Sequence, residues 1–259
     1  MDKLFSTKEK NVLSIFCTAG YPQLRDTIEV MKALQDNGAD MIELGMPYSD
    51  PLADGPVIQQ SSQIALDNGM SIGVLFEQLK DFRDQIHLPV ILMGYMNPVL
   101  QYGFERFCAA SSAMGIDGLI LPDLPMHEFE KDYKPIVEKY QLHFIFLVTP
   151  ETSDDRIRRI DKLSTGFVYA VSSSSTTGDQ RQPLENGVID TQRAYFKRLL
   201  DMELKNPFLV GFGIRDRESF AAACKYSNGG IIGSAYINAL SKGEDIPQIT
   251  KEFLNGIKE

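Results

Sequence analysis

Short apolar runs alternate with longer amphipathic segments along the whole chain. Eight of the runs read as strands: Val12–Cys17, Asp40–Leu44, Val90–Met93, Gly118–Leu121, His143–Val148, Gly166–Val171, Phe208–Gly211 and Gly230–Ile232. The gaps between them carry helical periodicity. Arg25–Asn37 places Ile28, Met31 and Leu34 at helical spacing and stops at Gly38, a residue that closes helices well. Ile72–Gln85, Phe104–Met114, Glu128–Tyr140, Ser153–Leu163, Asp190–Met202 and Arg217–Tyr226 fill further gaps, and Ile246–Ile257 closes the chain. The stretch from Ser172 to Gly178, followed by polar residues to Gly187, reads as a loop.

Strands alternating with helices at a spacing of roughly 25–35 residues imply a parallel sheet. At 259 residues the leading solution is an α/β fold of the (β/α)8 kind, a TIM barrel with an eight-stranded parallel barrel and extra helices. A doubly wound open sheet is the runner-up. It is weakened by the absence of a Gly-x-Gly-x-x-Gly turn after the first strand and of a phosphate-binding P-loop. No linker, low-complexity tract or composition break divides the chain, so residues 1–259 are expected to form a single barrel domain.

Composition narrows the function classes. Hydrophobic residues make up 43% and charged residues 24%, ordinary values for a globular protein. There are 35 acidic against 26 basic side chains, and a formal net charge of -9 argues against a general nucleic-acid surface. The N-terminal segment is charged and lacks the apolar core of a signal peptide. The longest fully apolar run, Phe144 to Val148, is far too short to span a bilayer. Cys17, Cys108 and Cys224 are widely spaced and form neither a disulfide framework nor a metal motif. A reducing cytoplasm is the expected location.

The barrel predicts where chemistry belongs, at the C-terminal ends of strands and on the loops that follow. Glu43 stands where the second apolar run ends, and a carboxylate there is expensive unless paired or used. Alternation along that strand puts Met41 and Glu43 on one face and Ile42 and Leu44 on the other, so Glu43 faces the barrel interior if Met41 does. Asp54, on the turn-rich loop that follows, lies between Ala53 and Gly55-Pro56. Two acids so placed suit proton transfer in a pocket. Asp50, between Ser49 and Pro51, sits in an ordinary turn setting and reads as a turn former.

The last three strands lead into glycine-bearing loops at Thr177-Gly178, Gly211-Phe212-Gly213-Ile214 and Gly233-Ser234-Ala235. Glycines let backbone N–H groups approach a ligand, and a helix start at Gly233-Ser234 would add aligned donors. Any one of these glycines could simply form a tight turn. Three such loops on one rim point to phosphate, which this barrel binds after its last strands. An apolar set stands at successive strand ends: Phe16, Met93, Tyr95, Ile120, Leu147, Tyr169 and Phe212. Each alone reads as barrel core; together they suit a flat apolar ligand. No Lys sits at a strand end to form a Schiff base. His87, His127 and His143 are scattered and read as structural.

The run from Glu43 to Pro56 reads E-L-G-M-P-Y-S-D-P-L-A-D-G-P. It closely resembles the signature of the tryptophan synthase α-subunit family, E-L-G-x-P-[FY]-S-D-P-x-A-D-G-P. Gly211–Gly213 and Gly233–Ala235 match that family's G-F-G and G-S-A elements, and the resemblance covers nearly the whole chain. It implies retro-aldol cleavage of indole-3-glycerol phosphate to indole and glyceraldehyde 3-phosphate. It assigns acid/base work to Glu43 and the contact with the indole N–H to Asp54. An apolar barrel mouth would raise the pKa of Glu43 toward neutrality, as a group carrying protons both ways requires. The resemblance also implies that Gly178, Gly213, Gly233 and Ser234 hold the phosphate. Phe16, Tyr95, Ile120, Leu147, Tyr169 and Phe212 would line the indole site, with Tyr169 orienting the substrate and Thr177 holding Asp54. One departure stands out: the family's S-R-x-G-x-T-G loop has Ser173 for Arg and Ser175 for Gly here, although Thr177-Gly178 survive. The family works with a β subunit that carries pyridoxal phosphate, in an α2β2 assembly; this chain is expected to need no cofactor or metal. The loop after the second strand and the Asn97-Pro98 loop are the expected docking surface. A stand-alone lyase releasing free indole, a non-catalytic activator of the β subunit, and another phosphate-binding barrel such as a sugar-phosphate isomerase are the alternatives.

Overall fold

The computed structural model describes residues 1–171, 190–211, 213–243 and 245–258. Among the described residues there are nine strands: β1 (Val12–Thr18), β2 (Met41–Gly45), β3 (Val90–Met93), β4 (Gly118–Ile120), β5 (His143–Phe144), β6 (Leu147–Val148), β7 (Val168–Val171), β8 (Phe208–Gly211) and β9 (Gly229–Ile232). They form one sheet in the order β5-β4-β3-β2-β1-β9-β8-β7-β6, and every pairing is parallel.

The nine strands are the eight expected ones, with the fifth in two pieces. β5 and β6 sit at opposite ends of the hydrogen-bonded order, yet only Ile145 and Phe146 separate them in the chain. The Ile145 amide donates to the Leu119 carbonyl at 3.0 Å, and the Tyr169 amide donates to the Phe146 carbonyl at 3.0 Å. The first half of this strand thus bonds to β4 and the second half leads to β7. The covalent chain carries the sheet round on itself, and the architecture is the (β/α)8 barrel.

Strand alternation divides the core in two. Met41, Ile91, Ile120, Ile145, Tyr169, Leu209 and Ile231 belong to an inner cluster inside the barrel. Ile42, Leu44, Val90, Leu92 and Val168 belong to the layer between strands and helices. Helices of the outer layer dock through periodic apolar faces: Thr27–Asp36 buries Val30, Met31 and Leu34, and Phe104–Met114 buries Phe107 and Cys108. The short helix Asp2–Thr7 closes the N-terminal mouth. Met1, Leu4 and Phe5 pack on the inner cluster, and the Phe5 ring centroid lies 6.2 Å from that of Phe167. One end of the barrel is therefore plugged, which leaves the C-terminal end for a ligand.

Among the described residues four helices fall outside the periodic segments read from the sequence, and for one of them, Ser234–Leu240, the sequence marked only the start. Another is the N-terminal plug itself. Pro56–Asp67 begins with Pro at its start, where no amide donor is needed, and buries Ile58, Ser61, Ser62 and Ala65. Its inward face is built from small and hydroxyl residues, so it carries little hydrophobic contrast. Met96–Tyr102 directly precedes Phe104–Met114, with Gly103 turning the chain at φ +94°. The segment Glu128–Tyr140 is helical with an internal π turn at Phe129–Tyr133, next to Pro135, which has no N–H to continue the ladder.

Gly229 shows how tightly the barrel closes. A Cβ there would stand 2.0 Å from the Val12 carbonyl oxygen, a backbone atom that cannot swing away. Gly256, on the helix Ile246–Lys258, has nothing within 4 Å of the same position. Gly229→Ala should lower unfolding free energy by about 3 kcal/mol or more. Gly256→Ala should leave stability unchanged or raise it by up to ~1 kcal/mol. Urea denaturation of the two variants checks the contrast.

Candidate active site

Glu43 lies on β2 with Phe16 of β1 and Ile91 of β3 as register partners. Its inner-cluster strand-mate Met41 fixes its direction, and the side chain is 0% exposed. A carboxylate in such a place lacks the solvation that normally holds its charge. The Ser14 hydroxyl donates to Oε1 at 2.8 Å. Among the described residues Oε2 has no partner. Burial pushes the Glu43 carboxyl up to about 8, and the Ser14 hydrogen bond opposes the rise. At neutral pH the group is therefore mainly a neutral acid with one unengaged oxygen.

Asp54 is positioned by the loop that leaves β2. Its N–H donates to the Pro51 carbonyl at 3.0 Å, and its carbonyl accepts from Gln59 Nε2 at 2.8 Å. The Tyr95 hydroxyl does the main work: it donates to Asp54 Oδ2 at 3.0 Å and accepts from the Ala53 amide at 3.1 Å. Tyr95 follows β3, so one phenol pins the loop to the neighbouring strand end. Tyr48 packs on it with ring centroids 5.3 Å apart, and Asn97 Nδ2 donates to the Tyr48 hydroxyl at 3.1 Å. Burial raises Asp54 to about 6, with the Tyr95 donor pulling the other way. Asp54 is thus largely ionised at neutral pH. Asp50 is exposed, accepts from the Ser49 hydroxyl at 2.5 Å, and offers its carbonyl to the Leu52 amide at 2.9 Å, the turn role expected of it.

Tyr169 lies within electrostatic reach of both acids. It is buried on β7 in the inner cluster, and its hydroxyl is driven upward by burial and then by the charges of Glu43 and Asp54. Both carboxyls therefore lie near one phenol, which places them about a common region of the barrel mouth. Gly211 at the end of β8 is needed there, since a Cβ would stand 2.3 Å from the Tyr169 oxygen.

The remaining sequence candidates distribute around that region. The Phe16 ring lies over Gly45, where a Cβ would come within 2.4 Å of it, and Phe16 also approaches Gly233. It stands between the acid-bearing strand and the loop after β9. Ile120 belongs to the inner cluster, and Leu147 and Met93 pack against it while partly buried. Gly213 adopts φ +80°, a left-handed conformation natural to glycine. Gly233 precedes the helix Ser234–Leu240, whose first residue is Ser234. Thr177, Gly178 and Phe212, with the departures at Ser173 and Ser175, lie outside the described residues. Among the described residues no group of three or more His, Cys, Asp or Glu is placed to hold a metal ion, and no helix is long and apolar enough to cross a membrane.

Two functional features went unread in the sequence. Ser14 is a buried polar residue flanked by the apolar Val12, Leu13, Ile15 and Phe16 of β1, a signal that could have marked it. Tyr95 was assigned to the ligand pocket by its strand-end position; its hydroxyl bonding to Asp54 depends on a loop path that spacing does not reveal.

A model of the tryptophan synthase alpha chain family matches residues 3–257. The chain is 52% identical over 235 residues to the tryptophan synthase alpha chain of Flavobacterium johnsoniae, covering 91% of each. It is 47% identical over 256 residues to that of Parabacteroides distasonis, covering 99% of this chain and 98% of the relative. Among solved structures, a tryptophan synthase of Mycobacterium tuberculosis superposes with a TM-score of 0.86 at 31% identity, covering 99% of this chain and 97% of that one. The tryptophan synthase α subunit of Legionella pneumophila gives 0.86 at 33% identity, covering 99% and 94%.

Burial of Glu43 has a consequence for stability. In the unfolded chain the group ionises near 4.5, and in the folded protein near about 8. The folded state therefore binds the extra proton, and its advantage is full below the lower value and declines as pH rises through the upper one. Glu43→Gln has no charge to desolvate. Its melting temperature relative to wild type should climb between pH 5 and pH 9, by roughly 5 °C or more. Paired thermal melts across that range check the sign; a difference independent of pH would contradict the buried-acid description.

Proposed function

The chain belongs to the tryptophan synthase alpha chain family, and from that premise we propose how its own residues carry the family's reaction. The protein is a lyase that cleaves indole-3-glycerol phosphate to indole and glyceraldehyde 3-phosphate, the α half of tryptophan synthesis. The assignment of roles is supported above all by one arrangement: a buried carboxyl, Glu43, and a half-buried one, Asp54, both close enough to Tyr169 for their charges to act on it, the first held up to about 8 and the second to about 6.

Glu43, neutral at pH 7, donates its proton to the ring carbon that bears the glycerol phosphate chain. Positive charge then spreads to the ring nitrogen, whose N–H donates to ionised Asp54. The carboxylate left on Glu43 takes the proton of the adjacent side-chain hydroxyl. As that proton leaves, the carbon–carbon bond breaks, its electron pair returns to the ring, and the alcohol carbon becomes an aldehyde. Glu43 ends as it began, protonated, so no outside base is consumed. Burial serves both steps, because charge–charge and charge–dipole interactions are stronger away from water.

The substrate's two ends follow from the same frame. Phe16, Tyr95, Ile120, Leu147, Tyr169 and Phe212 are assigned to the indole site, and Thr177 to the role of holding Asp54 that the family resemblance implies. Gly178, Gly213, Gly233 and Ser234 receive the phosphate through backbone amides. The position of Phe16 between β2 and the loop after β9 supports one continuous site, since it touches both the acid strand and the glycine corner. Residues 1–259 act as one barrel domain without a cofactor of its own.

The named relatives and structures imply partnership with a β subunit. The assembly we propose is α2β2 in the cytoplasm, with pyridoxal phosphate in the partner. Leu52 is 87% exposed on the loop after β2, and Leu100 is 49% exposed on the helix after β3. Large apolar side chains held in water on the catalytic rim suit a face that another subunit covers.

An indole-release assay tests the roles. Glu43→Gln and Asp54→Asn should each lower kcat by about a hundredfold or more while substrate binding persists. The wild-type kcat/KM profile should be bell-shaped, rising as Asp54 ionises near about 6 and falling as Glu43 ionises near about 8. Full turnover in either variant removes that residue from the reaction.

A further inference from the structure

We propose that Ser14 is a positioning residue for the lyase reaction: its hydroxyl holds one oxygen of Glu43 and thereby leaves Oε2 as the oxygen that exchanges protons with substrate. The proposal rests on the reading of Glu43 as the acid and base.

Ser14 sits on the inward side of β1, between Met41 of β2 and Ile231 of β9 in register. Both neighbours belong to the apolar inner cluster, and Ser14 itself is 0% exposed. A hydroxyl is costly at such a position unless it is bonded. Its bond goes to Glu43 Oε1 at 2.8 Å, while Oε2 is buried with no partner among the described residues. The two oxygens of a carboxyl are chemically equivalent until something distinguishes them, and here Ser14 does so. With Oε1 occupied as an acceptor, the acidic proton belongs on Oε2. Once that proton has left, the same hydroxyl donates to a carboxylate in an apolar surrounding, where a hydrogen bond to charge is roughly twice as strong as one between neutral groups. Ser14 therefore favours the state that forms during reaction over the resting state, which is the requirement for catalysis.

The other ionisable groups near Glu43 do not duplicate this. Cys17 of β1 is buried with its thiol pushed up to about 12, so it stays neutral. Tyr169 approaches from β7 and is held neutral by burial and by the two acids. Asp54, on the loop after β2, is engaged by the Tyr95 hydroxyl at 3.0 Å. β3 presents only Val90, Ile91, Leu92 and Met93.

Threonine and valine have nearly the same shape and differ here by a hydroxyl, so Ser14→Thr and Ser14→Val form a matched pair with equal packing demands. Steady-state kinetics of both across pH 5–10, beside wild type and Glu43→Gln, test the proposal. Ser14→Thr should keep the wild-type falling limb. Ser14→Val should move that limb up by about one pH unit and lower kcat roughly tenfold, with KM changed by less than about twofold. Indistinguishable Thr and Val variants, or a Val variant that loses only substrate affinity, would overturn the role of Ser14. Full activity in Glu43→Gln would overturn the reading beneath it, whatever the Ser14 variants do.

Discussion

A carboxyl group placed inside an apolar barrel is the constraint on which the rest of this molecule turns. Glu43 is wholly buried, and among the described residues its carboxyl has one hydrogen bond, from Ser14. No fold gains stability from that arrangement, because transfer of a carboxyl away from water is unfavourable and is relieved here by holding the proton. The barrel tolerates it because its other features are consistent: parallel strands with filled interiors, a plugged N-terminal mouth, and a helical coat packed on a continuous apolar layer.

The same constraint explains the neighbours. A second acid left equally unsupported would also turn neutral, and a pair of neutral acids could not receive the charge that develops on the ring. Tyr95 prevents this by donating to Asp54, which stays closer to the ordinary range. Two carboxyls of similar intrinsic strength are separated by their donors and by depth, and the charges of both act on Tyr169. The glycines at positions 45 and 211 serve the arrangement indirectly, as the places where the Phe16 ring and the Tyr169 phenol come against bare backbone.

Much of this was legible in the sequence, for physical reasons. Buried parallel strands are short apolar runs, and eight of them were readable because glycine and polar punctuation bounds each one. Glu43 was visible as a charge ending such a run, and strand alternation correctly gave it the direction of Met41. The helix Pro56–Asp67 escaped because its buried face uses Ser61, Ser62 and Ala65, which leave no hydrophobic stripe. The break in the fifth strand escaped because Ile145 and Phe146 are as apolar as their neighbours, and only hydrogen-bond geometry separates the two halves. Ser14 and the Tyr95 hydroxyl escaped because contacts between residues 29 and 41 positions apart depend on barrel register and loop path. Strand-end placement found the right side chains and missed what their polar atoms do.

The most direct test of the central claim observes the carboxyl itself. Infrared difference spectra between wild type and Glu43→Gln, recorded over a pH series on the ligand-free protein, isolate the C=O stretch of this one group. A buried neutral Glu43 should show a protonated carboxyl band at pH 7 that disappears with a midpoint near about 8. A band already absent at pH 6, with the carboxylate signal in its place, would contradict it.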